Sequence, residues 1–345
     1  MNLKELNKSI LPADDNAAKA ASHHLNDIAK PVGSLGELES MVIRLAALTG
    51  SVYPDISKKA VLTLSADNGV LKQGVAQTPG EITAVMTDFI ADKRSSVCIM
   101  AKCAGADSFS VDMGMFTKID NPNVIDRRIA NGTADMTEGP AMTRAQAEKA
   151  INTGIELVRD LKEQGYGLIA TGEMGIGNTT TSSAVASVLL KKDVTDMTGR
   201  GAGLSDEGLM RKINAIKTAI EVNKPDPDDA FDVLCKLGGF DIAGMCGIFL
   251  GGAIHRVPIL VDGFISAVSA LIAKRLCPNC TCAMFASHMS AEPAAKLVVN
   301  ELGLTPVIHA GMRLGEGTGA VAMMPLMDMA VAVYKDLMTY ADIGM

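Results

Sequence analysis

The chain has 345 residues, 48% hydrophobic, with 3% aromatic and no Trp. Its formal charge is −7 without any basic run, which argues against a nucleic-acid partner. No apolar stretch reaches the roughly 18 residues of a membrane span, the N-terminal Met-Asn-Leu-Lys-Glu-Leu lacks the apolar core of a signal peptide, and seven cysteines, an odd count, point to reduced thiols in a cytoplasm.

The length leaves room for a large domain and a smaller one. With so few aromatics, the core must come from Ala, Val, Ile, Leu and the 21 Met. In chain order, residues 14–30 read as a helix. Ser34-Leu-Gly-Glu37 has the pattern of a capping box and predicts a second helix over 35–48. Both precede the first strand and so should pack together, outside the sheet. Lys30, just before that cap, is either a linker residue or a ligand for a phosphate or carboxylate. Val61-Leu-Thr-Leu-Ser65 predicts the first strand, ending in Asp67, which is either a turn former or a ligand at the strand's carboxyl end. Helical patterns follow over 80–93 and 95–104, then a strand over 108–112. Residues 118–141 show no period and read as a long loop. Thr143-Arg-Ala-Gln146 is another capping box, opening a helix to about Gln164.

The apolar run 166–170 then reads as a buried central strand. It is followed by Thr171-Gly-Glu-Met-Gly-Ile-Gly-Asn-Thr-Thr-Thr181 and by a helix from about Ser182. A glycine-rich turn between strand and helix offers bare N–H groups and the positive end of a helix dipole, which suits a phosphate. The spacing Gly172-x-x-x-x-Gly177-Asn178-Thr179 copies the P-loop pattern with Asn178 in the lysine position. That lysine serves the β- and γ-phosphates, so its absence favours a single phosphate ester over a triphosphate. A second glycine loop, Gly199-Arg-Gly201-Ala-Gly203, precedes Ser205, a predicted helix cap. Gly238-Gly239 reads as a left-handed helix end, and 241–252 as a closely packed helix of small residues. A strand over 257–261 ends at Asp262, a helix runs over 264–276, and a strand over 281–286 leads to His288. After Gly315-Glu316-Gly317 a last helix runs to about Met338. No internal repeat is present. Strands alternating with helices predict an α/β fold, a doubly wound and mainly parallel sheet with helices on both faces.

Three constellations bear on chemistry. Cys277-Pro-Asn-Cys280-Thr-Cys282 lacks the second pair a zinc ribbon needs, so a loop of free thiols is the simpler reading. The five His form no metal-hydrolase motif, although His288 sits after a strand end. Glu316, held between two glycines before a helix, is either a solvated charge or a general base over a pocket. Glu173, in the phosphate loop, would have to face a sugar hydroxyl or a base N–H, because a carboxylate beside a phosphate is unfavourable.

Lys30-Pro-Val-Gly-Ser-Leu-Gly-Glu-Leu-Glu39, Gly132-Thr-Ala-Asp135 with Gly139-Pro-Ala-Met-Thr143, Gly172-Glu-Met-Gly-Ile-Gly-Asn-Thr-Thr180, Asp262-Gly-Phe-Ile-Ser266 and Leu314-Gly-Glu-Gly-Thr-Gly319 occur in this order. Together they resemble the nicotinate-nucleotide–dimethylbenzimidazole phosphoribosyltransferase family over about residues 20 to 340. The resemblance implies transfer of ribose 5-phosphate from nicotinate mononucleotide to a lower-ligand base of cobamides, with inversion at C1′ and loss of nicotinate. It implies that Glu316 is the catalytic base. Glu173, Gly175, Ile176, Gly177, Asn178 and Thr179 then belong to the nucleotide site, joined by Gly201 and Gly203 of the second glycine loop and by Ala76, Met174 and Leu314. It implies a dimer, with itself or a close paralogue, and no cofactor or metal. The small helical domain would comprise residues 1–50 with about 300–345, and the large nucleotide-binding domain 55–300. Departures fall at Asn68, where the family often has His, and at Ala294-Ala295, where it often has Gly-His. Ala76, without a hydroxyl, and Met174 make the acceptor pocket more apolar, and leave benzimidazole, phenolic and purine acceptors open. A paralogous subunit without activity and an ATP-dependent enzyme are the rival readings. The retained Glu316 and the missing P-loop lysine count against them in turn.

Overall fold

The structure, a computed structural model, describes residues 3–201 and 203–345. Strands β1 (Lys59–Ala66), β2 (Ala106–Gly114), β3 (Val124–Asp126), β4 (Leu168–Met174), β5 (Ile259–Val261) and β6 (Met284–Ala286) form one sheet in the order β3-β2-β1-β4-β5-β6. Every pairing is parallel. The chain steps outward from β1 to β3, then restarts on the other side of β1 with β4. That reversal opens a crevice at the carboxyl ends of β1 and β4, where sheets of this kind bind ligands. The two strands stop level with each other, Ser65 opposite Met174.

Helices α1 (Leu3–Ser9), α2 (Asp15–Asp27) and α3 (Glu37–Thr49) precede the sheet, and α4 (Ile82–Ala91) and α5 (Ser96–Cys103) join β1 to β2. The long α6 (Arg144–Glu163) leads into β4. Between β4 and β5 lie α7 (Asn178–Leu189), α8 (Val194–Met197), α9 (Asp206–Asn223), α10 (Ala230–Leu237) and α11 (Phe240–His255). Then come α12 (Phe264–Leu276), α13 (Ala295–Leu302) and α14 (Thr318–Asp336).

All eight residues of β1 are buried, as a strand covered on both faces requires. One group of helices, α4, α5 and α14, packs on β1, β2 and β4. Another, led by α11 with α6 and α12, packs on β1, β2, β4 and β5. The expectation of close packing along α11 holds. A Cβ on Gly154 of α6 would lie 2.0 Å from the carbonyl of Gly244, and one on Gly247 equally close to that of Ile151. The Thr143 capping box forms as expected, with Gln146 closing it.

The two chain ends meet. Ile28 bridges Thr339, Tyr340 N–H donates to the Asp27 carbonyl at 2.8 Å, and the rings of His24, Tyr53 and Tyr334 cluster edge to face and tilted.

Several local expectations are corrected. The box at Ser34-Glu37 does not form: α3 starts at Glu37 behind Gly36, and no side chain caps it. Glu39, not Glu37, reaches back, accepting from Leu35 N–H at 2.9 Å and from Lys30 Nζ at 2.7 Å. Lys30 thus meets a carboxylate, in a buried pair. The 118–141 loop contains β3, an edge strand too short to show a period. The 278–283 segment is a 3-10 turn, and β6 begins only at Met284. Gly238 ends α10 in an extended rather than left-handed conformation. Helix α7 begins at Asn178, before the expected Ser182. No described helix is long and apolar enough to cross a membrane.

Candidate active site

Strand β4 delivers Glu173 and Met174 to the crevice, and the 175–177 turn launches α7. Gly177 caps that helix at φ 97°, a conformation that disfavours any residue with a Cβ. The Ile176 N–H donates to Thr83 Oγ1 at 3.1 Å. Among the described residues, the amides of Gly177 and Thr179 find no backbone partner and stay open at the helix N-terminus. A helix terminus of this kind has the chemistry of an anion cradle.

The cradle is not without a lysine. Lys212, on α9, is completely buried, and its Nζ donates to Thr179 Oγ1 at 2.8 Å and to the Gly199 carbonyl at 3.1 Å. Burial lowers its pKa to about 8, against the opposing field of Glu292. The position occupied by lysine in a P-loop is Asn178, and the charge arrives instead from a helix more than thirty residues downstream. Asn178 turns inward: its Nδ2 donates to Glu173 Oε2 and, at 3.0 Å, to Asp241 Oδ2. Burial raises the pKa of both carboxyls, that of Asp241 to about 6.

A second turn, 315–317, opens α14 over the same crevice. Gly317 caps the helix at φ 98°, while Glu316 itself sits at φ 61°, a left-handed backbone that costs a non-glycine residue free energy. Its partners hold it there. Thr63 Oγ1 donates to the Glu316 carbonyl at 3.0 Å, and Asp262 accepts from Gly317 N–H at 3.2 Å and Ala320 N–H at 2.9 Å. Strand β4 runs close beneath: a Cβ on Gly172 would lie 2.2 Å from the Glu316 carbonyl oxygen. Glu316 is 8% exposed, and its carboxyl accepts from Val97 N–H at 3.4 Å. Burial raises its pKa, only partly offset by Val97 and the Ser95 hydroxyl.

A cavity of about 360 Å³ joins the two turns. Glu316, Glu173, Met174, the 175–179 turn, Gly201, Ala76 and Leu314 all line it. Gly203 does not: it is exposed, and Ala202 between the two glycines is outside the described residues. His288, weighed as a site candidate, also lines the cavity, with its Nδ1 3.1 Å from Ser287 Oγ. Sequence reasoning missed Lys212, Asp262 and Glu292 as cavity residues, and Asp241 beneath the turn. Asp262 carried the strand-end signal that was applied to Asp67. Asp67 itself is buried off the cavity wall, where it accepts from Phe116 N–H at 2.7 Å. Cys277 and Cys280 are buried, and among the described residues no group of three His, Cys, Asp or Glu is placed to hold a metal ion.

The geometry can hold a phosphate at one end and present a carboxylate base at the other. Comparison with known proteins places the chain in a family. A phosphoribosyltransferase family profile matches residues 10–345. The nicotinate-nucleotide–dimethylbenzimidazole phosphoribosyltransferase of Ruminiclostridium cellulolyticum is 46% identical over 342 residues, covering 99% of this chain and 97% of that protein. The enzyme of that name from Acetivibrio thermocellus is 46% identical over 318 residues, covering 92% and 91%. The crystal structure of CobT from Thermus thermophilus superposes with a TM-score of 0.91 at 34% identity, covering 96% of this chain and 99% of that one. With its cradle, its glycine-flanked carboxylate and these relatives, the chain belongs to the nicotinate-nucleotide–dimethylbenzimidazole phosphoribosyltransferase family.

Proposed function

We propose that this protein transfers ribose 5-phosphate from nicotinate mononucleotide to a ring nitrogen of an aromatic base, giving an α-ribazole phosphate and nicotinate in cobamide synthesis. The observation that carries the reading is the pairing, in one cavity, of the Lys212-crowned turn with the inward carboxyl of Glu316. The volume lies in the range of small-molecule sites.

In this reading the phosphate rests on the amides of Gly177 and Thr179, and Lys212 neutralises it. Nicotinate leaves from a pyridinium as a neutral ring nitrogen, so its departure needs no general acid. The incoming base attacks C1′ from the opposite face and inverts it. As that bond forms, the base gains positive charge and its other N–H becomes acidic. Glu316 accepts the proton. Such general-base help is typically worth about 10²–10⁴-fold, and alignment of two rings on one sugar adds to it. A raised pKa places Glu316 nearer neutrality, where a base is most useful.

Ala76, Met86, Met174 and Leu314 give the cavity an apolar wall. This supports 5,6-dimethylbenzimidazole, a base with a methylated edge, as the default acceptor. A phenol would instead bond through oxygen, with Glu316 deprotonating its hydroxyl. The intact turns support a catalytic subunit over a non-catalytic paralogue. The meeting of the chain ends supports a small helical domain of residues 1–50 with about 300–345 beside a large domain of 55–300. We infer a dimer acting in the cytoplasm. The test is to mix purified protein with nicotinate mononucleotide and a panel of benzimidazole, purine and phenolic bases. Nicotinate release with a new α-glycosidic product is expected; no release with any base overturns the reading.

A further inference from the structure

Glu173 touches both turns. Its Oε2 accepts from Asn178, which opens α7, and its other oxygen lies against the main chain of the 315–317 turn. The fit is tight: a Cβ on Gly315 would lie 2.5 Å from Glu173 Oε1. Asn178 is in turn gripped from below by Asp241 at 3.0 Å. Asp241 is fully buried at the start of α11 and wedged under the phosphate turn. A Cβ on Gly175 would lie 3.2 Å from its Oδ2 and one on Gly239 2.5 Å from its Oδ1. Among the described residues, neither Glu173 nor Asp241 makes an ion pair. A buried carboxylate that neither lines the cavity nor pairs with a cation is costly to keep, and its contacts run through Asn178 and its own helix terminus.

We propose that Asp241 is a positioning residue: it anchors Asn178, Asn178 anchors Glu173, and Glu173 anchors the main chain of Glu316, so that filling the phosphate turn sharpens the aim of the general base. The inference rests on the phosphoribosyl-transfer reading. The physical basis is slack. A phosphate drawn onto the amides of Gly177 and Thr179 settles the first turn of α7, and Asn178 lies between those two residues. With Asp241 in place, that adjustment passes to Glu173 instead of dissipating. At the far end sits a residue whose left-handed backbone persists only because its neighbours impose it. Phosphate binding energy is thereby used at the reacting centre, away from the phosphate itself.

The test compares kcat for nicotinate mononucleotide with kcat for nicotinate riboside, which lacks the phosphate, both at saturation with the same base. In the wild type the mononucleotide should turn over faster. Asp241→Leu, similar in size but unable to accept a hydrogen bond, should shrink that ratio by about tenfold or more, the scale of a misplacement well under 1 Å. Asp241→Asn keeps an acceptor oxygen toward Asn178 and should retain most of the ratio. If Asp241→Leu lowers kcat equally for both substrates, the residue is merely structural and the proposal fails. A wild-type measurement covers the case in which that variant does not fold: inorganic phosphite, filling the empty turn, should raise kcat for the riboside. Phosphite that competes with the mononucleotide yet leaves riboside turnover unchanged overturns the coupling. A wild type that releases no nicotinate from the mononucleotide instead sinks the transferase reading itself.

Discussion

Gly177 opens α7 at φ 97° and Gly317 opens α14 at φ 98°, and neither capping residue has a side chain of its own to offer the helix. Each turn also closes the same way, with the amide after the second glycine donating to the carbonyl of the first: Asn178 N–H to Gly175 and Thr318 N–H to Gly315, both at 3.0 Å. What differs is who occupies the helix terminus. At α14 the protein fills it with its own carboxylate, Asp262, which takes two amides. At α7 the amides are left open and a cation is supplied from α9. A helix N-terminus attracts any anion, so a fold with two such ends at one cavity must plug one to direct the substrate's phosphate to the other. Plugging also frees the middle residue of the second turn, Glu316, to act as a base.

Changes on the plugged turn should damage turnover, and changes on the open turn should damage binding. The largest effect is expected from Glu316→Gln: kcat should fall about 10²–10⁴-fold, with the KM for the mononucleotide little changed. Steady-state kinetics reads both, and near-normal kcat would remove Glu316 from its role. In the wild type, kcat/KM should fall as pH drops through the Glu316 pKa, which burial holds above its ordinary value, because the protonated acid cannot accept a proton. Next comes Gly172→Ala. Its methyl would crowd the Glu316 carbonyl oxygen and displace that turn while leaving the phosphate turn in place, and a loss of about 10²-fold in kcat is the scale for a shift of about 1 Å.

The open turn is probed by Lys212→Met. Losing a charged hydrogen bond costs about 1.5–3 kcal/mol, so the KM for the mononucleotide should rise about 10- to 150-fold with a smaller change in kcat. Because burial lowers the Lys212 pKa to about 8, the cation is lost as pH rises through that value. Wild-type KM should climb there, and the climb should vanish in the variant. A kcat defect without a KM defect would erase the contrast between the turns. The smallest effect belongs to Thr63→Val, which removes the hydroxyl bonded to the Glu316 carbonyl. At about 1 kcal/mol for a neutral hydrogen bond, kcat should drop about fivefold.

The two turns were legible in the sequence for a physical reason. Left-handed caps need glycine, and glycine pairs around a single residue stand out in a chain. The doubly wound sheet was legible because β1 and β4 are apolar runs bounded by turn residues. Lys212 was not, because nothing in the amphipathic pattern of α9 separates a lysine that turns inward from Arg211 and Lys217 beside it. Asp241 and Asp262 were equally silent as partners. Each is a single acid at the start of an apolar helix, and only the folded chain brings Asp241 under Asn178 and Asp262 against α14. The Ser34-Glu37 box misled because two glutamates on either side of Leu38, Glu37 and Glu39, compete to reach back, and the buried contact with Lys30 favours the second. Strand β3 escaped because an edge strand of three residues carries too few side chains for alternation.

The junction of the chain ends has a practical consequence. With no Trp in the chain, near-ultraviolet emission comes from four tyrosines. Three of them, Tyr53, Tyr334 and Tyr340, stand where the first and last helical segments touch, while Tyr166 donates to the Asp107 carboxylate at 2.6 Å, a contact that quenches phenol fluorescence. The molecule therefore carries a built-in optical reporter for undocking of its termini, one that is nearly blind to the sheet.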